Sequence, residues 1–179
     1  MGKTLNLVSE MERIANALGA ESEGAPGISL SAVAEKIAKN LGVKHDEIAI
    51  LAVSNRWRHL HFLVPEGLKN VGFVPLSSNS ALAARTARES RPEIENNFAS
   101  TRHATVFESV KFASDAAGAI QKMISAPILL DGNVIGVIQV SRKGANPHSA
   151  GPDFTAQDLG NILALCKPLG KMLRHVAGE

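Results

Sequence analysis

The sequence predicts an α+β fold: a central antiparallel sheet of five or six strands, with the terminal helices on one face and the middle of the chain capping the other. Three observations predict it. Residues 121–144 (QKMISAPILLDGNVIGVIQVSRKG) hold two apolar runs, Met123–Leu130 and Val134–Val140, around Asp131-Gly132-Asn133. Asp-Gly between β-prone runs is a strong hairpin signal, because the tight turn needs φ > 0 and Gly adopts it freely. Residues 58–65 alternate, with His59, His61 and Leu63 on one side and Leu60, Phe62 and Val64 on the other. Both ends of the chain carry apolar residues three and four apart, the spacing of a helical stripe.

In chain order, Leu7, Met11, Ile14 and Leu18 give residues 3–19 one apolar stripe of heptad-like spacing. Residues 21–27 (ESEGAPG) form a linker, with two Gly and a Pro in seven residues. Ser29 or Ser31 caps a second helix that buries Val33, Ile37 and Leu41 and ends at Gly42. Residues 47–53 suit a buried central strand, 54–57 turn the first hairpin, and 71–76 read as a third strand. Ser77–Ser80 is a cap-rich loop leading into a helix from about Ser80 to Pro92. Residues 93–120 are the least regular, with a helical pattern from Phe107 to Ile120. After the 123–140 hairpin, a loop (144–152) leads to a last helix from about Thr155. That helix spaces Leu159, Ile162, Leu165, Leu169, Met172 and Val176 like a coiled-coil seam. Pro168 removes the bond to the carbonyl of Ala164, so a kink or two segments are expected there.

Composition narrows the classes. The 179 residues suffice for one ordinary domain, and 45% hydrophobic with 20% charged content is that of a globular chain. Formal charge is +2 from 19 basic and 17 acidic residues, so no strong field points to nucleic acid or an acidic membrane. One Cys excludes an internal disulfide and a multi-cysteine zinc site. The apolar positions near the N-terminus are broken by Glu10, Glu12 and Arg13, unlike a signal peptide, and no run is long enough to span a membrane. A cytoplasmic location is expected.

The hairpin with Ala-Pro-Ile and Ile-Gly-Val-Ile-Gln-Val, followed by Phe154-Thr155-x-x-Asp158 and a closing helix, resembles the GAF domain, a sensor module related to PAS domains. The resemblance covers residues 28–176, C-terminal helix included, and leaves 1–27 as an N-terminal helix and linker. Lys143, Phe154 and Asp158 match the Asn-Lys…Phe…Asp-Glu signature of cyclic-nucleotide-type GAF domains. Arg142 stands where that signature has Asn and Leu159 where it has Glu, which counts against a cyclic nucleotide. The resemblance implies a structural ion pair between Lys143 and Asp158 that ties the last strand to the last helix. It also implies a ligand pocket formed by the helix after Ser80 and the residues that follow.

Within that region Ser80, at a helix N-terminus, either holds an anion or simply caps the helix. Phe98, Phe107 and Phe112, with Phe73 and Met123 from strands, either wall an apolar pocket or fill it. Arg102, His103, Thr105 and Ser125 are the polar pocket candidates. His59 and His61 project from one strand face without a Cys or carboxylate at metal spacing, so no metal site is assigned. His103 is the one candidate haem ligand, and a rim histidine is the simpler reading. Cys166 lies on the last helix, where it acts as a small hydrophobe. Bilin-binding GAF domains need a Cys near the pocket, and GAF-fold methionine sulfoxide reductases use several, so neither role fits. The cofactor stays open.

The functional expectation is a non-enzymatic sensory and regulatory module that binds a small molecule. It acts as a homodimer through Leu7, Met11, Ile14, Leu18, Ile162, Leu165, Leu169 and Met172, and signals to a separate protein. Nucleic acid and membrane partners are not expected. The alternatives are an interaction scaffold with a filled pocket and, further off, an enzyme of the methionine sulfoxide reductase type. No phosphate loop, nucleophile elbow or His-Glu-x-x-His motif is present.

Overall fold

The structure is a computed structural model that describes residues 2–20, 30–68, 73–98 and 119–176, with the backbone alone at 2–3, 17–20, 66 and 175–176. The elements run α1 (Gly2–Ala20), α2 (Leu30–Leu41), β1 (Ile48–Ser54), β2 (His59–Val64), β3 (Phe73–Pro75), α3 (Leu82–Glu89), β4 (Glu93–Glu95), β5 (Ala119–Leu130), β6 (Asn133–Gly144), α4 (Pro147–Ala150) and α5 (Ala156–Val176). Six strands form one sheet in the order β3-β2-β1-β6-β5-β4, with every pairing antiparallel. The expected α+β class holds, with six strands. The linker residues 21–27, the cap candidate Ser29, and Val71 at the start of the expected third strand lie outside the described residues.

The 121–144 hairpin supplies two neighbouring strands of the sheet, β6 beside β1 and β5 beside the edge strand β4. Leu130 pairs with Asn133 around a two-residue turn in which Asp131 has φ 52° and Gly132 φ 81°. Two consecutive positive φ values make the tight turn that follows the twist of its strands. The strands are longer than their apolar runs, at 12 residues each. Ala119 and Ile120 therefore belong to β5 rather than to the end of a helix.

Alternation divides the sheet into two faces. Ile48, Ile50, Ala52, Ile124, Ala126, Ile128, Ile138 and Val140 pack against α1, α2 and α5 in one core. Leu51, Leu60, Phe62, Val74 and Val137 pack on the other side against Ala81, Ala83 and Ala84 at the start of α3. Each large side chain so buried contributes about 1.5–3 kcal/mol.

The terminal stripes meet inside this one chain. Leu7 and Met11 of α1 and Ile162, Leu165, Leu169 and Met172 of α5 are all buried in the same core, with Ile14 half-buried against it. Lys171 Nζ reaches Glu12 Oε2 at 2.8 Å across the two helices. The stripes expected to meet between two copies thus cover one another within this chain, with Ile14 alone among the described members partly exposed. At Leu18 only the backbone is described.

α5 is a single helix that runs through Pro168, so of the expected kink or two segments the second does not occur. The proline costs about 3 kcal/mol or more in a helix interior. Four fully buried anchors, two on each side of it, outweigh that cost by holding both halves to one core. Gly170 makes the contact possible, since a Cβ there would stand 2.5 Å from the Leu129 carbonyl oxygen.

Two short elements escaped the periodicity. β4 has three residues, too few to show alternation, and is held by its pairing with Met123–Ser125 and by Arg85 Nη2 to Glu93 Oε2 at 2.6 Å. α4 is one turn, capped by Asn146 Oδ1 accepting from the Ser149 amide at 2.8 Å.

Candidate functional site

The α3 side of the sheet carries a polar cluster where alternation alone would place an apolar layer. Ser125 of β5 and Gln139 of β6 are cross-strand partners, and both are essentially fully buried. Thr86 of α3, also buried, stands over them. Thr86 Oγ1 lies 2.9 Å from the Leu82 carbonyl oxygen and 2.7 Å from Ser125 Oγ, and Gln139 Nε2 lies 3.2 Å from Ser125 Oγ.

A proton count fixes the direction of this chain. The Leu82 carbonyl can only accept, so the single hydroxyl hydrogen of Thr86 goes there. Ser125 must then donate to Thr86, which leaves Ser125 able only to accept from Gln139. Gln139 therefore turns its Nε2 toward Ser125, and its Oε1 is the other end of the amide. Oε1 is buried and has no hydrogen-bond partner among the described residues. An unmatched buried acceptor costs about 1–3 kcal/mol. It is the atom a bound donor would relieve.

Beside the cluster, Phe98, Met123 and Leu82 form a small buried group with Ile120 packed against it. Of the expected pocket residues, the structure brings together Phe98, Met123 and Ser125. Phe73 is not with them. It is exposed on β3, stacked on His59 at 4.5 Å between ring centroids, because its strand position points away from the core. Ser80 does not cap α3: Ala81 is the cap residue, and Ser78 Oγ accepts from the Ala81 amide at 3.1 Å. Arg102, His103, Thr105, Phe107 and Phe112 lie outside the described residues. Thr86 and Gln139 were not anticipated. Their signal was a polar residue inside a helical alanine run and one inside Val137-Ile138-Gln139-Val140.

The matched signature residues lie on β6 and at the start of α5, each with its own partners. The Lys143 amide donates to Glu47 Oε2 at 2.6 Å, inside the fold. Phe154 is buried, its backbone held both ways by Asn96 (3.1 and 2.8 Å), with the Arg142 guanidinium 4.8 Å above its ring. Asp158 Oδ2 accepts the Thr155 amide at 2.9 Å while Thr155 Oγ1 accepts the Asp158 amide at 3.2 Å, a reciprocal cap of α5. Lys122 Nζ and Asp153 Oδ1 form an ion pair at 2.9 Å near this corner.

Cys166 is buried in the opposite core, among α5 and the helix-covered face, and burial pushes its thiol up to about 12. Among the described residues no group of three His, Cys, Asp or Glu is placed to hold a metal ion. No described helix is long and apolar enough to cross a membrane.

Comparison with known proteins follows the same lines. The family model described as GAF domain matches residues 28–171. The chain is similar in structure to the GAF domain of a phosphoenolpyruvate-protein phosphotransferase from Acinetobacter, with TM-score 0.66, 15% identity, and 97% of this chain and 94% of that one covered. It is similar to an A. aeolicus GAF domain in an inactive state, with TM-score 0.63, 17% identity and 96% of each chain covered. It is also similar to a free methionine-R-sulfoxide reductase from Neisseria meningitidis in complex with its substrate, with TM-score 0.63, 15% identity, and 97% and 90% covered. At these identities the likeness is one of fold. No curated protein is similar enough to the chain to count as a match.

Proposed function

The chain belongs to the GAF domain family, and from that premise we propose that it is a non-enzymatic sensory and regulatory module that binds a small molecule on the α3 side of its sheet. The observation that carries this reading is Gln139 Oε1, a buried acceptor without a partner among the described residues, at the end of a proton-ordered chain through Ser125 and Thr86. A ligand with a hydrogen-bond donor satisfies it, and the neighbouring Phe98 and Met123 supply apolar contact.

The reading makes the module a homodimer that signals to a separate protein. Its contact uses the outer sides of the terminal helices, where Leu5 of α1 is 60% and Leu163 of α5 is 40% exposed. Leu163→Glu is expected to convert a dimer to a monomer in light scattering without loss of fold.

An enzyme of the methionine sulfoxide reductase type is the reading that several structural neighbours' names raise. The single cysteine weighs against it: its thiol is buried and stays protonated far above neutral pH. A filled pocket serving only as a scaffold is favoured by the packed Leu82–Phe98–Met123 group. Native mass spectrometry of protein purified without added ligand, set against the denatured mass, separates the two. The sensor reading expects a reproducible extra mass that Gln139→Leu abolishes. An unchanged adduct in that variant overturns it.

A further inference from the structure

A concavity lies between the β1–β2 turn and the last turn of α3, apart from the polar cluster. It has a volume of about 480 Å³, within the ordinary range for small-molecule sites. Its walls come from the end of β1, the β1–β2 turn, the loop after β3, the last turn of α3 and the start of β6. Val53, Leu76, Ala87 and Val134 supply apolar lining, and Asn55 and Ser77 supply neutral polar groups. Among the described residues the charged lining is two arginines, Arg58 and Arg88, with no carboxylate. Neither arginine pairs with a carboxylate among the described residues, where the carboxylates of Glu89 and Glu93 are engaged by Arg85 and Arg91. Thr86, Ser125 and Gln139 do not line it.

We infer that this cleft between the β1–β2 turn and α3 is a binding site for a small organic anion, a carboxylate or phosphate ester with an apolar body, held by Arg58 and Arg88.

Arg88 is already positioned for this. Its Nη1 donates to the Leu76 carbonyl at 2.5 Å and the Ser78 carbonyl at 2.7 Å, which fixes the guanidinium against the β3–α3 loop. The Nε and Nη2 hydrogens remain outside those two bonds, and a guanidinium offers such donors in the fork that suits an oxyanion. Arg58 holds an unusual backbone position. It has φ 56°, a region that favours Gly or Asn, at the turn position whose carbonyl accepts the Leu76 amide at 3.0 Å. A glycine would close the same turn with less strain, so the turn alone does not account for an arginine there. A side chain that serves the cleft does. The two cations attract the anion and the four apolar residues take its body, so a neutral molecule of the same shape lacks the charge-assisted contacts that hold it.

The test is methyl-resolved NMR titration with phenyl phosphate, benzoate and benzyl alcohol. Both anions are expected to shift Val53, Ala87 and Val134 saturably, and benzyl alcohol is not. A preference for phenyl phosphate over benzoate assigns a phosphate ester, and the reverse a carboxylate. Arg58→Gly relieves the turn, so it is expected to leave the melting temperature unlowered while weakening anion binding about tenfold, the loss of one charge-assisted contact. Arg88→Gln is expected to weaken it as much, with a small loss of stability from the two carbonyl bonds. Equal binding of benzyl alcohol, no shift with either anion, or wild-type affinity in a folded Arg58→Gly variant overturns the inference.

Discussion

Gln139 donates to Ser125 across the paired strands β6 and β5, Nε2 to Oγ at 3.2 Å, and this bond is directional because Ser125 has already given its only hydrogen to Thr86. The amide oxygen of Gln139 is therefore left facing the interior with nothing to accept among the described residues. Replacing Gln139 by Met removes that acceptor together with the bond to Ser125. The ligand-free variant is expected to be as stable as the parent or more so, by up to about 1 kcal/mol. Any rise in melting temperature that the parent shows with its ligand is expected to vanish, as read by thermal shift.

Cys166 is expected to be inert in the folded protein. Burial raises its thiol to about 12, so below the ordinary value of 9.0 the protonated form is the native one. Iodoacetamide at pH 8 is expected to label it at the rate of unfolding and no faster. Rapid stoichiometric labelling without loss of structure would show an accessible thiolate and reopen a redox role.

The glycines of α5 are expected to respond with opposite signs. Gly170→Ala places a Cβ 2.5 Å from the Leu129 carbonyl oxygen, and backbone cannot yield as a side chain can. A loss of about 1–3 kcal/mol is expected in urea unfolding. Gly160 is exposed with nothing within 4 Å of its Cβ position, so Gly160→Ala is expected to gain about 0.5–1 kcal/mol from helix propensity.

Acid is expected to loosen the contact between α1 and α2. The Lys36 ammonium bonds the Glu10 carboxylate, and this bond and its charge hold Glu10 below its ordinary 4.5. A depressed carboxylate stabilises the fold above the ordinary value, and that contribution is lost as pH falls through the folded one. The pair is exposed, so the effect is small. NMR titration is expected to place Glu10 below 4.5 in the parent and to return it to the ordinary range in Lys36→Met.

Much of the sheet was legible because its signals are local. Asp131-Gly132 announces its turn, and Ile124 or Ile138 announces a buried strand wherever it sits. The stripes on α1 and α5 were legible as buried faces. Periodicity reports that Met11 and Leu169 avoid water and says nothing about what covers them, so an intramolecular helix pair and a dimer seam read alike. β4 was illegible because its strand character comes from pairing with Met123–Ser125 rather than from its own three residues. The site was half legible for a related reason. Ser125 stood out in a β run, while Gln139 and Thr86 become interior polar groups only once β5, β6 and α3 are stacked.

The central claim is that Gln139 Oε1 awaits a donor from a bound small molecule, and a crystal structure of the protein purified directly from cell extract tests it most directly. The account predicts density for a molecule on the α3 side of the sheet, with a donor atom within hydrogen-bond distance of Oε1. An Oε1 satisfied by the chain's own side chain, or by one enclosed water with no other density, would contradict it.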